Sequence, residues 1–151
     1  MRSVEQLLQG FSIAVPAGSK LYGVMLGDTV VVKATVDYRG PAWDDHFYAA
    51  IGEWRGISWP TDIGYFDEIW DSPTVPVHFD ASTDWVTYPL QVEIPINEIG
   101  LAPWTPGWFD LYAKLTRSGV GGLLTPRLDN VIEVILAPEF DHFTIDSYDK
   151  A

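Results

Sequence analysis

The stretch TVVVKATVDYRGPAWDDHFYAAIG, residues 29–52, decides the fold. Val30, Val32, Ala34, Val36 and Tyr38 alternate with Val31, Lys33, Thr35 and Asp37. Successive side chains of an extended chain point to opposite faces, so this period of two reads as a strand with one dry and one wet face. A single wet face favours an antiparallel sheet. Arg39-Gly40-Pro41 ends the run. His46 to Trp54 starts the next strand, with Phe47, Ala49 and Ile51 on one side. Between the two lie Trp43, Asp44, Asp45 and His46, which read as a loop where the acids meet solvent and Trp43 covers the end of the core.

The same alternation continues outward. Residues 21–26 suit a short edge strand, and Ile63 to Trp70 and Thr74 to Phe79 suit two more, the latter interrupted by Pro76. In Trp85 to Ile94, Val86, Tyr88, Leu90, Val92 and Ile94 point inward. Pro89 cannot donate to a ladder, so that strand belongs at an edge or carries a bulge. Gly107 to Thr116 turns Phe109, Leu111, Ala113 and Leu115 inward, and Asn130 to Leu136 turns Ile132, Val134 and Leu136 inward. Gly119-Val120-Gly121-Gly122 reads as the hairpin tip between these two. It lacks the lysine and following helix of a phosphate loop.

At the start, SVEQLLQ (residues 3–9) suits a short helix capped by Ser3, with Gln6 as its capping-box partner. At the end, EFDHFTIDSYDKA (139–151) reads as an acidic tail that adds an edge strand or reaches a neighbour. The expectation is one all-β domain over residues 1–151: a two-sheet antiparallel sandwich of seven to eight strands. Its core spans about 21–137, with a helix and arm over 1–20 and the tail over 138–151.

GDTVVVKATVDYRG, GWFDLYAKLT and LDNVIEVIL together resemble the immunoglobulin-like sandwiches of bacterial surface proteins, in particular the cell-adhesion-related domain found in bacteria. The resemblance covers about residues 27–137. It implies a binding or spacer module rather than an enzyme, and it carries over no functional residue. The tryptophan-rich loops, the N-terminal helix and the tail depart from the pattern.

The chain carries a formal net charge of -12 with nine Lys and Arg. That field repels polyanions, so nucleic acid and anionic membrane are not expected partners. There is no cysteine, which excludes disulfides, thiolate metal sites and cysteine nucleophiles. Glu5, Gln6 and Gln9 interrupt any apolar run near Met1, so no classical signal peptide is expected.

Chemistry-bearing residues are sparse. Asp44, Asp45 and His46 are competent cation ligands, yet neighbours on an extended chain do not converge. Asp62, Asp67, Glu68 and Asp71 form a second acidic group, in which the adjacent Asp67 and Glu68 face apart. Glycosidase chemistry needs two facing acids, and nothing in the sequence singles out an acid with a raised pKa. His46, His78 and His142 lie in separate segments, and no G-x-S-x-G is present. No catalytic residue, metal or cofactor is expected.

The tryptophans are the compositional oddity. There are seven, and Trp43, Trp59 and Trp104 fall in expected loops beside proline or alanine. They are the candidate binding residues, although rings in such loops more often plug the open ends of the core. The expected function is a non-enzymatic structural or interaction module with a protein partner or self-assembly. A virion decoration protein or a bacterial surface-assembly subunit fits the short chain, its Met1 and the missing export signal. The alternative is a carbohydrate-binding module that stacks sugars on the loop tryptophans.

Overall fold

The structure, a computed structural model, describes residues 15–57, 63–97, 106–117, 122–136 and 140–151. The helix expected over 3–9, Trp59, Trp104 and most of the glycine-rich tip lie outside them. The described residues form nine strands and no helix: β1 (Leu21–Met25), β2 (Thr29–Gly40), β3 (Trp43–Ile57), β4 (Ile63–Asp71), β5 (Val75–Phe79), β6 (Ser82–Pro95), β7 (Gly107–Leu115), β8 (Leu123–Leu124) and β9 (Leu128–Ile135).

Two sheets share one core. The larger runs β1-β9-β7-β3-β4, with β5 also on β3 and β8 on β7; the smaller, among the described residues, is the β2–β6 pair. Val30 and Val32 of β2 and Leu90, Val92 and Ile94 of β6 meet Phe47, Ile51, Phe109 and Val134 of the larger sheet. Each such side chain removed from water contributes about 1.5–3 kcal/mol. Trp70 lies among them, its ring edge-on to Phe109 at 5.2 Å and its indole N–H donating to the Asn97 carbonyl at 2.9 Å.

Four features of the strands differ from the sequence expectation or go beyond it. First, β1 pairs with β9 in parallel, so the assembly is antiparallel in every pair but one. A tight turn causes this: the Asp28 carboxylate accepts the Met25 N–H at 2.8 Å, and Gly27 takes φ +94°, sending the chain from the larger sheet into the smaller. Second, Trp43, Asp44 and Asp45 belong to β3 rather than to a loop, so the strand expected from His46 begins three residues earlier, with Asp44 and Asp45 facing His78 and Val77 of β5. Third, β4 and β5 run end to end along one edge of β3. Pro73 breaks them apart, and Ser72 stitches the gap by donating its N–H to the Ala49 carbonyl and accepting the Ala49 N–H on Oγ, both at 2.9 Å. Fourth, Leu136 is 62% exposed, because β9 ends at Ile135 and leaves it beyond the last rung.

Pro89 sits where an edge strand tolerates it. It faces Thr35 in an unbroken register, on a strand whose other side is open among the described residues. Residues 140–151 form no strand and lie exposed.

Candidate functional site

The β3–β5 end of the larger sheet gathers the residues around Trp43. Asp45 is 1% exposed, not solvated. Its Oδ1 accepts the N–H of His46 at 2.7 Å and of Arg117 at 2.8 Å, and its Oδ2 accepts the Trp43 indole N–H at 3.2 Å. A buried carboxylate is tolerable when its lone pairs are filled this way. Arg117 then lies over the Trp43 ring at 4.8 Å and donates to the Asp44 carbonyl at 2.8 Å. On the wet face Asp44 meets His78 Nδ1 at 2.6 Å, and Asp80 approaches His78 Nε2 at 3.3 Å. The hydrogen bond to Asp44, and then the charges of both acids, raise the His78 pKa. His46 points away into solvent. No cluster of three His, Asp or Glu with metal-binding geometry occurs among the described residues.

Of the three tryptophans singled out as binding residues, Trp43 can therefore be placed, and Trp59 and Trp104 cannot. Trp43 is half-buried against the rim of the core. It belongs to a wider pattern. Arg127 covers Trp54 at 4.4 Å, Arg39 covers Trp85 at 4.6 Å and Lys20 covers Trp108 at 4.7 Å. Apart from the buried Trp70, each described tryptophan carries a cation of its own chain on one ring face. Each such pair contributes about 0.5–1 kcal/mol at an exposed position.

A second cluster sits on the outer face of the larger sheet. Tyr48 of β3 donates to Glu68 of β4 at 3.0 Å, Tyr112 of β7 donates to the same oxygen, and the Phe66 ring leans on Tyr112 at 4.4 Å. Asp71 hydrogen-bonds Glu68 as well. Its pKa is pushed up to about 6, first by desolvation and then by the neighbouring Glu68 charge. Tyr112 and Tyr48 are also raised, again chiefly by desolvation.

The sequence concealed this meeting, because residues 68 and 71 have opposite parity on a regular strand. A bulge removes the obstacle: Ile51 faces Trp70 and Gly52 faces Glu68, so Ile69 is the extra residue and the parity flips across it.

Asp110 is a further buried acid that no motif marked. It accepts the N–H of Trp54 at 2.9 Å and of Asn130 at 2.8 Å, tying β3 and β9 across β7. Asn130 takes φ +51° there, a conformation that Asn adopts more readily than most residues.

No protein-family model and no curated protein matches this chain.

Proposed function

We propose that the chain is a non-catalytic, immunoglobulin-like module that works by binding other protein subunits in an assembly, such as the surface of a virus particle or of a bacterial cell. The observation that carries this is large apolar surface left in water: Phe140, Phe143, Ile145 and Tyr148 in one segment, with Tyr22, Tyr65, Leu123 and Leu124 on the body. Contiguous exposed apolar groups mark interaction sites. The strand order supports the immunoglobulin-like reading. The β9-β7-β3-β4 sheet matches the G-F-C-C′ order of such sandwiches, and the β2–β6 pair matches B–E. The titratable clusters support a structural role, since their polar atoms are turned on one another or on backbone amides.

Light scattering and electron microscopy of the purified chain, together with capture of its partner from native lysate, test this reading. A complex of defined stoichiometry is expected. A strictly monomeric chain with no partner overturns it. A glycan array tests the sugar alternative. Binding that disappears in folded Trp43→Ala or Trp85→Ala protein moves the function to carbohydrate, whereas the cations already lying on those rings favour no binding.

A further inference from the structure

The segment His142-Phe143-Thr144-Ile145-Asp146 alternates polar and apolar residues, as a half-buried strand does. It pairs with nothing among the described residues: Phe143 is 100% exposed and Ile145 85% exposed. A strand pattern without a sheet calls for an edge elsewhere, and the smaller sheet, with two strands against a much wider one, offers two that are open among the described residues.

The β6 edge is closed to it. Pro89 lacks an N–H, so Pro89↔Thr35 is a non-hydrogen-bonded pair. Consistently, one pair beyond Pro95↔Thr29, Ile96 donates to the Asp28 carbonyl at 2.9 Å. The odd residues of β6 therefore point their backbone groups outward, and two of them, Pro89 and Pro95, have no donor to offer. By the same parity the odd residues of β2 point outward, and β2 has no proline in its 12 residues. The open side of β4 carries Asp67, Glu68 and Asp71, which repel an acidic segment. β1 has 5 residues and a register shift.

We propose that the 140–148 segment adds as an antiparallel strand to the β2 edge of a second copy of this chain, with Thr144 opposite Thr35. This rests on the subunit-binding reading above and names its partner. The register matches at the five central rungs, 142–146, while Asp141 and Ser147 fall opposite Tyr38 and Val32 at the ends. Asp146 falls opposite Lys33 and His142 opposite Asp37 on the wet face, while Ile145 and Phe143 fall opposite Ala34 and Val36 on the core face. Phe140 meets Arg39, and Tyr148 meets the exposed Val31. Ala34 and Val36 are only half-buried, which leaves apolar surface for the incoming pair to cover. A lysine in mid-edge rejects indiscriminate strands and accepts one with an acid at the right rung.

Chain reach makes the exchange intermolecular. Ile135 pairs with Met25, so Leu136 lies beside the start of β2. Four residues from Leu136 to Phe140 span at most about 14 Å. Arg39 is ten residues along β2, roughly 33 Å away. A chain cannot lay this segment antiparallel on its own β2.

The chain has no cysteine, so the pair Thr35→Cys, Thr144→Cys introduces its only thiols. Opposite residues of a hydrogen-bonded pair have Cα atoms about 5.5 Å apart, within disulfide range. Mild oxidation is expected to give covalent dimers or longer chains on a non-reducing gel; the pair Thr35→Cys, Ser147→Cys, out of register, is expected to give few. Sedimentation of the full chain is expected to show self-association weakened about tenfold or more by Phe143→Asp, weakened by Lys33→Asp, and restored by Lys33→Asp with Asp146→Lys. Oxidised protein that stays monomeric, or self-association indifferent to Phe143→Asp, overturns the inference. In that event a complex with a different protein leaves the subunit-binding reading standing, and its absence removes both.

Discussion

Asp45 takes hydrogen bonds from an indole and two backbone amides while almost wholly out of water. Asp45→Ala orphans those donors, and a loss of about 3 kcal/mol in urea unfolding is expected; Asp45→Asn, which keeps an acceptor oxygen, is expected to lose about half as much. Asp71 behaves in the opposite sense. Its carboxyl binds a proton more tightly in the folded protein, with a pKa of about 6, than in the unfolded chain, where it returns to 3.8. The folded state thus holds more protons between those values, and the contribution of this group falls as pH rises through that window, levelling off above about 6. Asp71→Asn is expected to raise Tm at pH 7.5 and to leave it unchanged near pH 3.5, measured by thermal melts across pH. The pattern of carboxylates alone did not foretell either behaviour. Burial of Asp45 depends on Arg117, 72 residues away in the chain, and the Asp71 shift depends on a bulge that sequence parity hides.

At the scale of strands, alternation was a good guide wherever a strand has one dry face and no bulge. Val30, Val32, Leu90, Val92 and Ile94 are buried as their parity requires. It failed where ladder geometry, rather than side-chain polarity, sets the outcome. The extra Ile69 flips the end of β4, and Ser72 replaces a stretch of ladder next to Pro73. The β3–β4 crossing is also tight: a Cβ on Gly52 would overlap the Asp67 carbonyl oxygen. Gly52→Ala is expected to cost about 2–3 kcal/mol in chemical denaturation, since backbone on both strands must shift. The tryptophans separate at this scale too. Trp70→Ala empties a core position and is expected to cost about 3–5 kcal/mol. Trp85→Ala removes an exposed ring under one arginine and is expected to cost no more than about 1 kcal/mol.

For the molecule as a whole, the net charge of -12 opposes both compaction and association of like copies. Screening relieves that repulsion, while the buried acids feel it little. Raising salt from ~20 mM to ~500 mM is therefore expected to raise Tm by roughly 2–4 °C, read by calorimetry. The two-layer architecture was legible from strand spacing and punctuation; the pairing of first strand with last was not, because no local pattern encodes a contact between Leu21 and Ile132. That contact governs how the protein is made. A ribosome delivers Leu21 about 110 residues before its partner, which at 5–20 residues per second is roughly 6–22 s. Until then the nascent polypeptide has the β2–β6 pair and a half-built wall, and the larger sheet closes only once β9 has been delivered.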